Sequence, residues 1–299
     1  MSSPAASGAA SGSGTGKVIV LGEHAVVHGE PAIVLGLSRG VRVTLVSAVP
    51  ESPGGQPESA PERALAKAAQ VLGVPAPKGV VVRVEGDLPV AVGLGSSAAL
   101  SVATVRALAA HVGLSPSDDD VAGFANEIER LFHGTPSGVD ATAAAHGGLR
   151  WFEAGPPRRH EPVAAPAPLP LVVALSGSRH DTGRSVLGLR DRARAAREIY
   201  APVFSAIGAL VRAGRTAIEA GDAPRLGEIL TMNHGLLRAC GVSTPELDRL
   251  VDVALREGAL GAKLTGAGGG GAAIALASGE PGELAERLSR SGWESFPVA

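Results

Sequence analysis

Two glycine-rich strings constrain this chain more than any other feature. GLGSSAA occupies 93–99, directly before a run with helical periodicity, and KLTGAGGGGAA occupies 263–273. A glycine turn that leads into a helix leaves backbone N–H groups at the positive end of the helix dipole, which suits phosphate. The second string has glycine at 266 and 268–271, and such backbone freedom is costly to order unless a main chain or ligand comes close. Together the strings favour a nucleoside triphosphate, although a tight turn and a mobile hairpin tip would explain each one alone.

The first string also matches a dinucleotide-binding fingerprint, G-x-G-x-x-A, from Gly93 to Ala98, and Asp118 follows about twenty residues later. Asp118, however, lies at the predicted start of a helix, and Pro89 interrupts the run into the glycines. No Lys-Ser or Lys-Thr pair of a P-loop follows, and Asp191 stands in LRD where protein kinases have HRD. Hydride transfer to a nicotinamide, P-loop chemistry and protein kinase activity are therefore disfavoured.

Length, charge and cysteine content exclude further classes. The chain has 299 residues and a net charge of −2, from 27 Lys and Arg against 29 Asp and Glu, so it lacks the basic footprint of a nucleic-acid-binding protein. Cys240 is the only cysteine, which excludes an intrachain disulfide and a four-thiolate metal site and fits a reducing compartment. The start has no signal-peptide pattern, and no run of about 18 apolar residues occurs. We expect a cytoplasmic protein with neither nucleic acid nor a membrane as partner.

The order of strand-like and helix-like segments predicts two α+β domains. Residues 1–15 are rich in Ser, Ala and Gly and predict a flexible tail. Beyond it, β-branched runs predict strands up to about residue 48 and at 80–86, and helical periodicity predicts helices after the first glycine string, from Ser117 to Gly134 and after Pro136. A Pro/Ala stretch at 162–170 predicts the boundary between domains at 16–168 and 169–299.

The first predicted strand carries three polar residues at its two ends. Lys17 enters the strand, and Glu23 and His24 follow it. The three could line one edge of a cleft, whereas each alone is more often solvated or structural.

Three carboxylates lie in the region that follows the first glycine string. Glu127 and Glu129 both flank the apolar stripe of their helix, and periodicity does not choose between them. Asp140 follows a Thr-Pro-Ser-Gly turn at a helix start, where a carboxylate also serves as a cap. Phosphoryl transfer needs phosphate-binding amides, oxygen ligands for magnesium, a cation and a carboxylate base, and all four types occur in this chain.

These strings together resemble the signature motifs of the GHMP small-molecule kinases. GKVIVLGEHAVVHG, PVAVGLGSSAA and KLTGAGGGG follow one another in that order, and FHGTPSGVD and the segment from MNHGLLRACGVS onward are similar to members that phosphorylate mevalonate. The resemblance spans about Gly16 to Leu276. It implies an N-terminal domain with a left-handed βαβ unit, like domain 2 of ribosomal protein S5, and a ferredoxin-like C-terminal domain. It also implies ATP and Mg²⁺ as cofactors and the 5-hydroxyl of mevalonate as acceptor.

The family's functional positions are carried over where the motifs match. Asp140 matches the catalytic aspartate that takes the hydroxyl proton, and Lys17 matches the lysine paired with it. Glu129 and Ser97 match the magnesium ligands, which favours Glu129 over Glu127. The remaining matches are Glu23, His24 and Thr182 for the substrate, and Gly93, Leu94, Gly95, Ser96, Ser97, Ala98, Gly266, Gly268 and Gly269 for ATP.

The chain also departs from the family pattern. It has Gly-Thr-Gly-Lys where the first motif usually has Ala-Pro-Gly-Lys, and no residue is clearly matched to the substrate carboxylate. Arg179 or Arg184 is our hypothesis for that contact, since a guanidinium binds a carboxylate bidentately. Another small alcohol, such as phosphomevalonate, a sugar or a homoserine-like acid, stays an alternative substrate. A homodimer is a further expectation from the resemblance.

Overall fold

The computed structural model describes residues 9–47, 59–134, 136–178 and 182–298, with the backbone alone for 182–187. Its Cα positions group into two compact units that alternate along the chain. The first unit takes the chain up to Gly16, then Arg39–Leu88 and Gly95–Gly147. The second takes Lys17–Ser38, Pro89–Leu94 and Gly148 onward. Two long strands, β1 (Ala10–Leu21) and β2 (Ala32–Ser47), each contribute to both units.

In the described part of the first unit, four α-helices pack around an apolar core. Its elements are α1 (Ala60–Leu72), β3 (Val80–Gly86), α2 (Ser96–His111), α3 (Asp118–His133) and α4 (Val139–His146). Strand β3 pairs antiparallel with the second half of β2, from Val41 opposite Gly86 to Ser47 opposite Val80. Buried side chains of the core include Val43, Leu45, Val102, Leu108 and Ile128.

Helix α3 begins and ends where the sequence predicts. Ser117 caps it by accepting a hydrogen bond from the N–H of Asp120, whose side chain reaches back to Ser117 in a capping box. Gly134 forms the C-terminal cap with φ of +67°. The buried stripe of Val121, Ala125 and Ile128 faces the core, so local pattern and packing agree for this helix.

The tail predicted for 1–15 is wrong for residues 10–15, which lie in β1. Small side chains let this part of the strand lie directly on α2. A Cβ atom at Gly12 would come within 2.4 Å of Ala103 O, and one at Gly14 within 2.3 Å of Ala99 O. The composition that predicts flexibility here serves close packing of a strand on a helix.

Among its described residues, the second unit holds most of the β structure, five α-helices and a short 3-10 helix at Ala25–His28. Its elements after residue 148 are β4 (Leu149–Glu153), β5 (Arg159–Pro162), β6 (Leu171–Leu175), α5 (Thr182–Ala195), α6 (Arg197–Ala220), α7 (Ala223–Ala239), α8 (Pro245–Arg256), β7 (Ala259–Thr265), β8 (Ala272–Ala277), α9 (Pro281–Arg290) and β9 (Ser295–Pro297). Antiparallel strands form one sheet in the order β7-β8-β6-β9, and β4 pairs with β2 and β5. The second glycine string joins the antiparallel strands β7 and β8.

Glycines bring α7 close to β7. A Cβ at Gly227 would lie 2.3 Å from Leu260 O, and one at Gly261 would lie 2.0 Å from Gly227 O. Farther along α7, His234 lies against Leu264 in the C-terminal half of β7, and Asn233 reaches Glu23.

The α+β character that the sequence predicts is confirmed. The Pro/Ala stretch at 162–170 lies inside the second compact unit and does not separate the units. The division at residue 168 into family domains stays a prediction. Within the described ranges, no helix is both long and apolar enough to cross a membrane.

Candidate active site

The first glycine string ends at the start of α2. Gly95, with φ of +75°, is the N-cap, and no described side chain caps the helix. Ser96, Ser97 and Ala98 form its first turn. Backbone N–H groups in an uncapped first turn, together with the helix dipole, favour an anion, and phosphate binding at this turn stays a prediction.

A buried carboxylate from α3 lies beside that turn. Ser97 Oγ donates a hydrogen bond to Glu129 Oε2 at 2.9 Å, and Ser101 Oγ donates to Oε1 at 2.9 Å. His133 Nε2 lies 3.0 Å from Ser97 Oγ. Since the single hydroxyl proton of Ser97 is directed to Glu129, the imidazole would act as donor there.

The structure separates two glutamates that periodicity could not. Glu129 is 2% exposed, whereas the Glu127 side chain is 44% exposed and pairs with Arg130 at 3.2 Å. Adjacent ligands of an octahedral ion with bonds of about 2.1 Å lie about 3 Å apart. The 2.9 Å between Ser97 Oγ and Glu129 Oε2 therefore suits two ligands of a hard cation.

Asp140 is the second residue of α4. Gly138 caps that helix with φ of +92°, and the aspartate is half-buried in its first turn. The position agrees with the sequence prediction. This position in the first turn fits a structural carboxylate that the helix dipole stabilises, and it fits equally a catalytic base whose direction the helix fixes.

In the second unit, Lys17 lies against the first glycine string. The residue is 3% exposed, its Nζ donates to Gly93 O at 3.1 Å, and its N–H donates to Leu94 O at 2.9 Å. The backbone bond fixes the string to β1, and the side-chain bond directs the ammonium along it. A cation so enclosed interacts strongly with nearby charge because little water screens it.

Glu23 takes part in an ion pair that the sequence does not predict. One of its oxygens accepts from Lys263 Nζ, and the other accepts from Asn233 Nδ2 at 3.3 Å. The side chains of Glu23 and Lys263 are both fully buried. Burial raises the pKa of Glu23, against the opposing effects of Lys263 and then Lys17, and burial lowers the pKa of Lys263.

His24 connects the first motif to the third. Its Nε2 lies 3.1 Å from Ala267 O, inside the second glycine string. The residue has φ of +60° without being glycine, a strained backbone that persists where surroundings fix it and that occurs often at functional sites.

The two glycine strings approach each other through their main chains. A Cβ at Gly266, where φ is +85°, would lie 3.2 Å from Gly93 O. Farther along, a Cβ at Gly268 would lie 2.0 Å from Val242 O, and Gly269 N–H donates to that same oxygen at 2.8 Å. The second string is thus ordered by close backbone contact, as its composition indicates.

The structure gives no side-chain position for three residues that the sequence analysis assigns to the substrate. Arg179 lies outside the described residues, and the side chains of Thr182 and Arg184 are likewise outside them. The substrate contacts expected there stay predictions.

Sequence reasoning does not find the contacts of three residues in these clusters. Lys263 is one of four lysines and lies beside a glycine string, where an ammonium could be needed, but its partner Glu23 is not indicated. Ser101 follows Ser97 by four positions and so shares its helix face, a signal that could have found it. Asn233 carried no such signal, because its contact with Glu23 joins positions 210 residues apart.

Comparison with known proteins identifies the family. The models of the N-terminal and C-terminal domains of GHMP kinases match residues 61–148 and 215–294. A relative from Pyrococcus horikoshii named mevalonate kinase is 36% identical over 308 residues, covering 92% of this chain and 91% of that protein. The chain belongs to the GHMP kinases. A relative of the same name from Aeropyrum pernix is 38% identical, with coverage of 97% and 96%.

Solved structures agree with that assignment. The crystal structure of L. major mevalonate kinase in complex with R-mevalonate has 32% identity and a TM-score of 0.81, covering 97% of this chain and 93% of that one. The two-domain GHMP kinase fold implied by the motifs is confirmed, and this GHMP kinase is an ATP-dependent phosphotransferase. The left-handed βαβ unit and the ferredoxin-like domain stay predictions.

Proposed function

We propose that this GHMP kinase transfers the γ-phosphoryl group of ATP to the 5-hydroxyl of mevalonate, giving 5-phosphomevalonate and ADP. The observation that carries the reaction class is the buried Glu129 carboxylate bonded to Ser97 in the uncapped first turn of α2. It puts oxygen ligands for a cation beside a helix terminus that attracts phosphate. The two relatives named mevalonate kinase and the L. major enzyme solved with R-mevalonate support the substrate.

The proposed chemistry assigns the proton to Asp140. Its carboxylate accepts the proton of the 5-hydroxyl, and the oxygen forms a bond to the γ-phosphorus. The bond between the γ-phosphorus and the β–γ bridging oxygen breaks, and ADP leaves with that electron pair. Lys17, whose ammonium is almost fully enclosed, stabilises the developing alkoxide.

Ser97 and Glu129 would hold Mg²⁺. Their oxygens are hard ligands at a fitting separation, and Ser101 orients the second carboxylate oxygen. When bound, the ion neutralises charge on the β- and γ-phosphates.

The ATP phosphates are assigned to the two glycine-rich strings. The uncapped turn of α2 offers its amides, and the string after β7 offers main chain without side-chain bulk. The assigned residues are Gly93, Leu94, Gly95, Ser96, Ser97, Ala98, Gly266, Gly268 and Gly269.

Mevalonate is assigned to Glu23, His24 and Thr182 by their motif positions. His24 reaches Ala267 O through Nε2, so its ring is held in one orientation. Both Glu23 oxygens are engaged by Lys263 and Asn233, and we assign this carboxylate an electrostatic contribution.

Cytoplasmic location and a homodimer complete the proposal. A single cysteine fits a reducing compartment, and the dimer follows from the family resemblance. Fractionation of the producing cells and light scattering of the purified protein test these two points.

A substrate panel tests the proposed acceptor. Purified enzyme with ATP and Mg²⁺ is given mevalonate, phosphomevalonate, galactose or homoserine, and ADP release is followed. We expect the highest kcat/KM with mevalonate. Turnover of another alcohol together with none of mevalonate would overturn the substrate and leave the kinase assignment intact.

A further inference from the structure

Lys263 is built into the interior of the second unit as a charged group. Its side chain is fully buried on β7, and Nζ donates to Glu23 Oε1, to Leu264 O at 2.7 Å and to Ile19 O at 3.4 Å. An ammonium has three donors, and these acceptors use all of them. The surroundings therefore suit a lysine that keeps its proton.

The partner carboxylate is equally enclosed. Glu23 is 0% exposed, and its second oxygen accepts from Asn233. The Asn233 side-chain oxygen has no hydrogen-bond partner among the described residues, so the contact with Glu23 orients this amide. A buried ion pair adds little stability compared with apolar residues of equal volume, which is a reason to look for a role in function.

Strand β7 holds the segment of β1 that carries the first motif. Lys263 and Thr265 are two positions apart and so share one face of β7. Thr265 Oγ1 accepts from Ile19 N–H at 2.9 Å and donates to Ile19 O at 3.0 Å. Ile19 lies between Lys17 and Glu23 in β1 and its neighbouring turn. Its two bonds to Thr265 therefore hold the backbone between these two charged residues against β7.

We propose that Lys263 is a positioning residue for phosphoryl transfer, which holds Glu23 as a carboxylate and thereby fixes the turn that carries His24. Glu23 directly precedes His24, whose backbone is strained at φ of +60° and whose ring reaches the second glycine string at Ala267. Loss of the Lys263 cation leaves a buried carboxylate unpaired. The carboxylate then takes a proton or moves, and the turn loses its anchor.

The charged groups around the pair define its pH dependence. Glu23 is faced by Lys263 from β7 and is influenced by Lys17 on β1, with the neutral Asn233 on α7. His234 on α7, whose Nδ1 accepts from Leu264 N–H, is influenced by Lys263. Removing Lys263 removes the larger of the two cationic influences on Glu23, so the pKa of Glu23 is expected to rise further in such a variant.

The test compares Lys263→Met, the double variant Lys263→Met/Glu23→Gln, and Lys78→Met as an exposed-lysine control. Each is measured for thermal stability, ATP affinity, and kcat and KM for mevalonate from pH 6 to 9. In Lys263→Met we expect kcat/KM at pH 7 to fall by about 100-fold because the turn is misplaced. Activity should recover in part as the pH rises, because a higher pH favours the ionised form of Glu23, while ATP affinity stays unchanged.

The double variant separates positioning from plain stability. Its neutral pair should restore the melting temperature, while kcat/KM stays low and follows the wild-type pH profile. Lys78→Met should match the wild type throughout. The proposal is overturned if the double variant regains activity together with stability, or if folded Lys263→Met has wild-type kcat/KM with an unshifted profile. If Lys263→Met does not fold, the double variant alone decides.

The inference rests on the proposed function. Measurements on the wild type distinguish a failure of the proposed function from a failure of the inference. A wild type that binds ATP without turning over mevalonate contradicts the substrate. The predicted stability pattern of the variants tests the ion pair without any substrate: the penalty of Lys263→Met should be larger at pH 8 than at pH 5. Loss of the Lys263 cation raises the pKa of Glu23 further in the folded state, and stability linked to a group with a raised folded pKa is lost as the pH rises. An equal penalty at both pH values therefore contradicts the pair.

Discussion

Glu127 and Glu129 lie two positions apart on α3 and have opposite surroundings. Glu127 is exposed beside Arg130, whereas Glu129 is buried with a serine hydroxyl on each oxygen. Water and Arg130 compete with a cation for the exposed Glu127 carboxylate, whereas the buried Glu129 carboxylate is shielded from water. The pair is therefore a matched test of the proposed magnesium site.

Glu129→Gln should raise the Mg²⁺ concentration needed for half-maximal activity by at least about tenfold, since it removes a charged ligand. Glu127→Gln, which changes the same atoms on the same helix, should leave the requirement unchanged. Titration of ADP release with Mg²⁺ at saturating ATP measures both. Equal requirements in the two variants would exclude Glu129 as a ligand.

His234 gives a pH dependence of stability. Its Nδ1 accepts from Leu264 N–H at 3.4 Å, Nε2 lies 3.3 Å from Asp248 Oδ1, and burial, the largest cause, lowers its pKa from 6.5. The unfolded state then binds a proton more readily, so this contribution to stability is present above about pH 6.5 and is lost as the pH falls.

His234→Asn should therefore flatten the decline of the free energy of unfolding between pH 7.5 and 5.5. Urea denaturation at those two pH values measures the slope in both proteins. A variant slope as steep as that of the wild type would assign the acid sensitivity to other groups.

Residue patterns predicted the type of chemistry better than the contacts. Ser97 and Glu129 could be paired by motif alone, and the structure brings them to 2.9 Å. Lys263 and Glu23 are 240 positions apart, and no local periodicity joins them. Contacts between distant segments depend on tertiary packing, which a single sequence does not reveal.

At the scale of elements, strand β1 lies on α2 through glycines that leave no room for side chains. Gly14→Ala should lower the free energy of unfolding by about 1 to 3 kcal/mol, because the new Cβ meets backbone that cannot give way. Gly123→Ala, in the exposed middle of α3 with nothing within 4 Å, should instead raise it by about 0.5 to 1 kcal/mol. Chemical denaturation of the two variants checks the opposite signs. Destabilisation of similar size in both would show that the packing of β1 is not the cause.

Helices and strands whose own sequence carries caps or hydrophobic periodicity were predicted, whereas the first half of β1, which carries neither, was not. Helix α3 has a capping box, an apolar stripe and a terminal glycine, and strand β3 has alternating β-branched residues. The segment 10–15 has only small residues, and its strand structure comes from packing on α2. Propensity reasoning reads such a segment as unstructured because the stabilising partner is remote in sequence.

For the whole molecule, the order of motifs predicted the family and the reaction class, and the comparisons bear this out. The compact units could not be predicted, because the chain passes between them several times. A boundary taken from a Pro/Ala stretch marks a change in local composition, whereas compactness depends on contacts between distant segments.

The measurement that tests the central claim most directly is ADP release with ATP, Mg²⁺ and mevalonate, for the wild type beside Asp140→Asn. The account predicts turnover by the wild type and a kcat lower on the order of a thousandfold in the variant, since asparagine cannot accept the hydroxyl proton. ATP affinity and thermal stability should be retained, so that the loss belongs to the chemical step. Wild-type turnover in Asp140→Asn, or no phosphorylation of mevalonate by a folded, ATP-binding wild type, would contradict the account.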